Sequence, residues 1–216
     1  MPAGPARHLA FLHTAEVHRS TFEALVAELD PTVVVTTIVD ADLLRRAQLD
    51  PDDPTVEAGI DRAIEQLRTS DRAICTCSTI GALAEERGAI AGVAVDRVDR
   101  AMAERAAALR GPVVAVVAVE STIEPTQQLL AGAGVTELEI VVAEGAWTAF
   151  GAGELDGYLD TIEATARQAA TRAGVVVLAQ ASMAAVAERC DGRIGDVPVL
   201  ASPRLAVEAA LAEGAP

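Results

Sequence analysis

The stretch Ile74-Cys75-Thr76-Cys77-Ser78-Thr79-Ile80-Gly81 decides the fold of this chain, because it marks where a strand ends and a helix begins. The apolar residues that lead into it predict a buried strand over 72–76, and those after Thr79 predict a helix to about Arg87. In open parallel sheets, ligands bind at the carboxyl ends of the strands. The sequence therefore predicts a functional strand end at Cys77.

This pattern recurs in the second half of the chain. Cys77–Glu85 aligns with Gln180–Glu188 at an offset of 103 residues, and Thr21–Leu25 aligns with Thr126–Leu130 at an offset of 105. Matches in the same order at similar offsets indicate a duplicated strand–helix unit. Strands alternate with helices in both halves, which predicts an α/β fold with parallel sheets flanked by helices and right-handed crossovers.

Charge and composition exclude several classes of function. The 216 residues carry a formal net charge of −15, which argues against nucleic acid and acidic membranes as partners. All 17 basic residues are arginine, so the sequence lacks both the lysine of a pyridoxal-phosphate enzyme and that of a P-loop. No apolar run approaches the roughly 18 to 20 residues needed to cross a bilayer.

The cysteines indicate a reducing compartment. Cys75, Cys77 and Cys190 are an odd number, and charged residues and histidines interrupt the N-terminal stretch where a signal peptide would be apolar. We therefore expect free thiols and a cytoplasmic location. Cys75 and Cys77 lack further ligands at a metal-site spacing, so we expect no metal. Cys190 is interpreted as a structural or surface residue.

The predicted surroundings of Cys77 suit acid–base or nucleophilic chemistry. A helix start presents unpaired N–H groups and a partial positive charge, which can hold a carboxylate and favour thiolate over thiol. Ser78 and Thr79 are typical capping residues and add hydroxyl donors. The same residues are also compatible with a buried structural cysteine beside an ordinary helix cap.

Ile74–Ile80 resembles the first cysteine motif of the aspartate/glutamate racemase superfamily, and Val177–Met183 resembles its second motif. That superfamily also includes hydantoin racemases, maleate isomerases and arylmalonate decarboxylases. The resemblance implies two pseudo-symmetric α/β lobes, 1–96 with 198–216 and 97–197, with the active site in a cleft between them. It further implies a small amino acid or carboxylate as substrate, no cofactor or metal, and a homodimer.

Carried over by position, Cys77 matches the first catalytic cysteine, and Ser78 and Thr79 match the residues that hold the substrate carboxylate. Gln180 stands at the second cysteine position and is followed by two further candidate binding residues, Ala181 and Ser182. A glutamine amide cannot exchange a proton near neutral pH. This departure favours reactions that need one thiol, namely decarboxylation of an arylmalonate type or cis–trans isomerisation.

Racemisation would require a second base in place of the missing thiol. His13 at the end of the first strand and Glu120 at the end of the corresponding strand are the candidates, because both residue types can be tuned for proton transfer. Each also has a plain structural interpretation, as a hydrogen-bonded strand end and a solvated helix-start acid. The neighbouring hydroxyl residues are predicted to bind substrate: Thr14, Ser121 and Thr122.

Two other segments receive structural interpretations. Gly145-Ala146-Trp147 is predicted to be a loop whose tryptophan flanks the pocket or fills the core. Asp96–Met102 is predicted to be a solvated helix start with Val98 and Met102 packed inward.

Three classes of function thus remain open from the sequence. The first is a cofactor-independent racemase-type enzyme that acts through Cys77, with the decarboxylase as its variant. The second is a non-catalytic binder of a small carboxylate, which would combine an ordinary Cys77 pKa with tight binding and no turnover. The third is a thiol redox protein, which would oxidise readily to a Cys75–Cys77 disulfide.

Overall fold

Strands and helices alternate along residues 7–213, the part of the chain that the computed structural model describes. The strands are β1 (His8–His13), β2 (Val34–Val39), β3 (Arg72–Cys75), β4 (Val95–Arg97), β5 (Val113–Val117), β6 (Leu138–Val142), β7 (Val175–Leu178), β8 (Arg193–Ile194) and β9 (Val197–Ala201). The helices are α1 (Val17–Leu29), α2 (Ala41–Leu49), α3 (Pro54–Leu67), α4 (Gly81–Ala91), α5 (Arg100–Leu109), α6 (Ile123–Gly132), α7 (Ala146–Gly151), α8 (Leu155–Ala170), α9 (Ala184–Arg189) and α10 (Ser202–Glu213). Two 3-10 turns, Glu120–Thr122 and Ala181–Met183, precede α6 and α9.

The described chain divides into two compact units. The first runs to Val98 and resumes at Pro203, and the second is Asp99–Ser202. Each unit has its own sheet and its own apolar core. No helix among residues 7–213 is long and apolar enough to cross a membrane.

The first unit is built on a four-stranded parallel sheet in the order β2-β1-β3-β4. Alternate side chains of a strand point to opposite faces, so Leu12 packs on one face with Ile60 of α3 while Phe11 meets Phe22 of α1 on the other. Helices therefore cover both faces of this sheet, as crossover connections require. In the central pair, Leu12 lies opposite Cys75, which brings the ends of β1 and β3 together.

The second unit repeats this arrangement. Its sheet has the order β6-β5-β7-β9-β8, in which the first four strands are parallel and β8 pairs antiparallel with β9. β5 is buried along its whole length, as expected for the centre of a covered parallel sheet. Because β5, β6 and β7 take the places of β1, β2 and β3, the predicted fold class of two similar parallel-sheet lobes is confirmed.

Several element boundaries differ from the prediction. The family resemblance implied that 198–216 belong to the first lobe, whereas β9 hydrogen-bonds to β7 in the second sheet, with Val199 opposite Val176. β4 lies partly in the segment interpreted as a solvated helix start, because a three-residue strand containing Asp96 and Arg97 has no apolar run. The residues around Trp147 form helix α7 instead of a loop, with Gly145 at φ +77° before the first turn.

Candidate active site

The end of β3 leads directly into the predicted functional strand end. Thr76 continues the parallel ladder by donating its N–H to Leu12 O at 2.9 Å, and Val98 N–H donates to Cys75 O at 3.0 Å. Cys77 follows this last paired residue, and the turn 78–80 connects it to α4. The local structure therefore places Cys77 at the carboxyl edge of the first sheet, as the sequence predicts.

Cys77 is surrounded by hydrogen-bond donors. Its thiol is buried, with 6% of the residue exposed, and it receives hydrogen bonds from the hydroxyls of Thr14 and Thr79 and from the backbone N–H groups of Thr79 and Ile80. Burial nevertheless raises the pKa of Cys77 above its ordinary value, and the four hydrogen bonds only partly oppose that increase. The expectation that the helix start lowers the pKa of Cys77 and favours its thiolate is therefore corrected, because removal from water outweighs these donors.

Ser78 and Thr79 lie in the turn before the helix and are not its N-cap residue. Helix α4 begins at Gly81, and its N-cap residue is Ile80, whose side chain makes no cap hydrogen bond. Ser78 is buried in the turn, and the Thr79 hydroxyl points to the sulfur of Cys77. The two residues thus lie at the strand end, where the prediction put them, and the Thr79 hydroxyl donates to the thiol.

The side chains of His13 and Thr14, at the end of β1, point in different directions. Thr14 is buried and contacts Cys77 through its hydroxyl. The His13 ring is fully buried on the other side of the strand, stacked on Phe11 at 5.6 Å between ring centroids and tilted against Phe22 at 5.5 Å. His13 therefore lies in an aromatic cluster.

The protonation state of His13 follows from its contacts. Its Nδ1 atom lies 2.7 Å from Thr76 Oγ1, and Thr76 donates to Leu12 O, so His13 carries its proton on Nδ1. Nε2 is buried and has no hydrogen-bond partner in the described part of the chain. Burial, and then the nearby His18 and Arg19, lower the pKa of His13 to about 3, which keeps the ring neutral.

The second unit positions Gln180 in the same way as the first positions Cys77. Gln180 follows β7, is 8% exposed, and accepts a hydrogen bond at Oε1 from the backbone N–H of Ala118 at 2.6 Å. Ala118 follows β5, just as Thr14 follows β1. The side-chain oxygen of Gln180 is thus held from the neighbouring strand end, and its NH2 group is the end that can donate to a ligand.

Ser182 has a partner that sequence reasoning missed. Its Oγ lies 2.7 Å from the hydroxyl of Tyr158, a residue of α8 that is 1% exposed. The apolar stripe of α8 shows that its face is buried, but no sequence signal identifies which turn the tyrosine hydroxyl reaches. Ala181, between Gln180 and Ser182, is buried and offers no side-chain hydrogen bond.

The other candidate site residues of the second unit differ in their exposure and contacts. Glu120 is exposed at the start of a 3-10 turn, which matches its interpretation as a solvated acid. Ser121 is half-buried beside it. Thr122 is buried, and its hydroxyl donates to Val119 O within the same turn, so this group serves the local backbone.

The remaining cysteines and the tryptophan take structural positions. Cys75 is fully buried in the first core, with its sulfur 4.0 Å from Cys77 O. Cys190 is half-buried and lies 3.4 Å from Ala187 O at the end of α9. Trp147 stacks on Phe150 at 5.2 Å between centroids. Among residues 7–213, no group of three or more His, Cys, Asp and Glu side chains is arranged to hold a metal ion.

Among comparisons with known proteins, only the one with solved structures gives matches. The sequence matches no protein-family model. Comparison with curated proteins gives no match either. Solved structures do match, over almost the whole chain. A glutamate racemase from Francisella tularensis, solved with D-glutamate, has a TM-score of 0.70 and 14% identity, covering 96% of this chain and 81% of that chain.

Two further structures carry different chemistries on the same fold. Allantoin racemase from Pseudomonas fluorescens has a TM-score of 0.68 and 18% identity, covering 95% of this chain and 89% of that one. A mutant of arylmalonate decarboxylase has a TM-score of 0.61 and 14% identity, covering 96% and 94% of the two chains. The chain therefore has an α/β fold of two parallel-sheet units. More particularly, it has the fold of the aspartate/glutamate racemase superfamily that its two motifs resemble.

Proposed function

We propose that this protein is a cofactor-independent enzyme of the aspartate/glutamate racemase type, which acts on a small amino acid or carboxylate through Cys77. The observation that carries this proposal is the set of donors around the sulfur, from Thr14, Thr79 and Ile80. A structural cysteine in an apolar core needs no such donors. A sulfur that becomes a thiolate during a reaction is stabilised by them.

The raised pKa of Cys77 favours the role of a proton donor. In the resting enzyme the thiol is protonated, and it delivers that proton to a carbanion-like carbon of the substrate. The electron pair on that carbon comes from a C–C bond that breaks as carbon dioxide leaves, or from a C–H bond whose proton passes to a second base. The S–H bond breaks, a C–H bond forms, and the electron pair of the S–H bond stays on sulfur. The hydroxyls of Thr14 and Thr79 then stabilise the thiolate until it is protonated again from solvent.

A second candidate within this class is decarboxylation, which Gln180 favours. Its Oε1 is held by Ala118 N–H, and a glutamine amide does not transfer protons near neutral pH. Decarboxylation needs only one proton. The electron pair of the broken C–C bond stays on the α-carbon as an enediolate, carbon dioxide leaves, and the proton of Cys77 adds to that carbon. One of the proteins with this fold is an arylmalonate decarboxylase.

The surroundings of His13 and Glu120 support a role as second base less well than those of Cys77 support proton transfer. The His13 ring is fully buried among Phe11, Phe22 and His18, and its pKa of about 3 makes the neutral imidazole a weak base. Glu120 is exposed to solvent. In the proposal, therefore, Cys77 transfers the proton, while Ser78, Ser121 and Ser182 are assigned to binding polar groups of the substrate.

The test is product analysis on a panel of small compounds. Aspartate, glutamate, allantoin and phenylmalonate represent the chemistries named for proteins with this fold, and maleate represents the cis–trans alternative. Chiral chromatography reports racemisation, NMR reports cis–trans conversion, and released carbon dioxide reports decarboxylation. We expect conversion of a panel member by the wild-type protein and by Cys190→Ala, and none by Cys77→Ala. Conversion that persists in Cys77→Ala would refute the proposal. Tight binding without conversion would favour a carboxylate-binding protein instead.

A further inference from the structure

Tyr158 is the only tyrosine of the chain, and it lies deep in the second unit. It projects from the first turn of α8, with 1% of the residue exposed, and its ring packs against Phe150 at 5.1 Å between centroids. An apolar core could be filled there by phenylalanine. A tyrosine in such a position requires a hydrogen-bond partner for its hydroxyl.

That partner is Ser182, at 2.7 Å between the two oxygens. Ser182 lies in the 3-10 turn after β7, two residues beyond Gln180, at the carboxyl edge of the second sheet. A hydroxyl from the core thus reaches the strand end at which Gln180 is also fixed by a hydrogen bond from Ala118 N–H. Gln180, just before this turn, and Ser182, within it, are therefore both held by hydrogen bonds from inside the unit.

The direction of the Tyr158–Ser182 hydrogen bond follows from acidity. A phenol is a stronger hydrogen-bond donor than an aliphatic alcohol, and burial raises the pKa of Tyr158 to about 12, so the phenol keeps its proton. When Tyr158 donates, the oxygen of Ser182 is occupied as an acceptor. The hydrogen of the Ser182 hydroxyl is then available to be donated to another group.

We propose that Tyr158 is a positioning residue that fixes Ser182 as a hydrogen-bond donor to a carboxylate oxygen of the substrate. This inference rests on the proposed function, since it deepens the role of Ser182 in binding. Without the tyrosine hydroxyl, the serine hydroxyl rotates among several orientations, only some of which donate toward a ligand. Ordering it in advance lowers the free energy needed to bind the carboxylate.

The test is a double-mutant cycle on Tyr158→Phe and Ser182→Ala, using the panel member that the wild-type protein converts. Tyr158→Phe keeps the ring that packs on Phe150 and removes only the hydroxyl. We expect KM to rise about tenfold in each single variant with kcat changed less than about threefold, in line with one lost hydrogen bond. Because both variants remove the same interaction, the double variant should have a KM close to that of Ser182→Ala alone.

Thr161→Val is the matched control, since it also removes a hydroxyl from α8, one that bonds to Gly157 O within the helix. It should leave KM unchanged. If Tyr158→Phe lowers thermal stability while KM stays at the wild-type value, Tyr158 is structural and the inference is wrong. Additive effects in the cycle would also overturn it. Loss of Cys77 dependence in the same assay would instead refute the proposed function, so the two failures are distinguishable.

Discussion

The hydroxyl of Thr14, just after β1, donates a hydrogen bond to the sulfur of Cys77, just after β3. The two residues are 63 positions apart in the sequence, and the parallel pairing of β1 with β3 brings them together at one sheet edge. The second unit has an equivalent relationship, in which Ala118 N–H after β5 donates to Gln180 Oε1 after β7. In each unit, therefore, the residue just after β1 or β5 donates a hydrogen bond to the motif residue after the neighbouring strand, β3 or β7.

Replacing Thr14 by valine should weaken the reactivity of Cys77. Valine has nearly the same shape but cannot donate, so the pKa of the Cys77 thiol should rise further above its ordinary value. We expect the rate of alkylation by iodoacetamide at a fixed pH near 8 to fall, and catalytic turnover to fall about tenfold. Alkylation of Cys77 is followed by mass spectrometry of the labelled peptide. Thr14→Ser, which keeps the hydroxyl, should retain most of the alkylation rate and most of the turnover. If Thr14→Val is alkylated as fast as the wild type, this hydrogen bond does not affect the reactivity of Cys77.

Removing the acceptor of Gln180 should destabilise the second unit. Gln180→Leu leaves the buried N–H of Ala118 without its partner, which costs about 1–3 kcal/mol of the free energy of unfolding. Gln180→Glu keeps an oxygen at the same place. At acidic pH, where its carboxyl group is neutral, it should lose less free energy of unfolding than Gln180→Leu. Urea denaturation monitored by circular dichroism measures both effects. Gln127→Leu, on the exposed face of α6, is the control and should change stability by less than about 0.5 kcal/mol.

Acid should destabilise the first unit through His13, which is buried, and His18, which is half-buried. The folded protein lowers the pKa of His13 to about 3 and that of His18 to about 4, mainly by burial, against an ordinary value of 6.5. Between these values the unfolded chain binds protons that the folded chain does not, so stability is complete above about pH 6.5 and is lost as the pH falls. Each histidine contributes a slope of at most about 1.4 kcal/mol per pH unit in this window.

The measurement for this prediction is urea denaturation of the wild type and of His13→Gln between pH 7 and pH 5. The variant should show a shallower loss of stability with decreasing pH, because one titrating group is gone. Ser20→Ala, which removes an exposed hydroxyl from α1, should keep the wild-type slope. Equal slopes for His13→Gln and the wild type would show that His13 is not held in its neutral form.

Packing of α4 against β4 should be sensitive to a single methyl group. A Cβ atom at Gly88 would lie 2.6 Å from Val95 Cγ2 and 2.9 Å from Val93 O, closer than van der Waals contact allows. Gly88→Ala should therefore lower the free energy of unfolding by about 1–3 kcal/mol and, by displacing α4, reduce turnover at Cys77. At Gly132 in α6, nothing lies within 4 Å of such an atom, so Gly132→Ala should leave stability unchanged or raise it by up to about 1 kcal/mol. Calorimetric melting of the two variants provides the comparison.

The sequence predicts the fold well where apolar periodicity is strong. The strand predicted over 72–76 is β3 (Arg72–Cys75), because its apolar residues are clear. The helix predicted after Thr79 begins at Gly81 and runs on to Ala91. β4 was missed because its three residues include Asp96 and Arg97, and the ion pair of Asp96 with Arg72 on the adjacent strand is not readable from sequence order. Its strand character comes from pairing with β3, which is a tertiary effect.

The candidate site was predicted in part. Cys77 and Gln180 lie at strand ends as the motifs indicate, since strand ends are local features. The charge state of Cys77 was not predictable from the sequence. It depends on the balance between burial, which raises the pKa of the thiol, and four hydrogen bonds to the sulfur, which lower it. Tyr158 was missed for a related reason. Its helix face is evident from the sequence, but the turn that its hydroxyl reaches is set by the packing of α8 on the sheet.

The most direct test of the central claim is hydrogen exchange at the stereogenic carbon of aspartate, glutamate and allantoin, together with the deuterium content of the product from phenylmalonate, in deuterated buffer. NMR follows the wild type beside Cys77→Ala and Cys75→Ala. We expect deuterium incorporation at a carbon of one of these compounds by the wild-type enzyme, its loss in Cys77→Ala, and its retention in folded Cys75→Ala. Incorporation at the wild-type rate in Cys77→Ala, or none with the wild-type protein, would contradict the account.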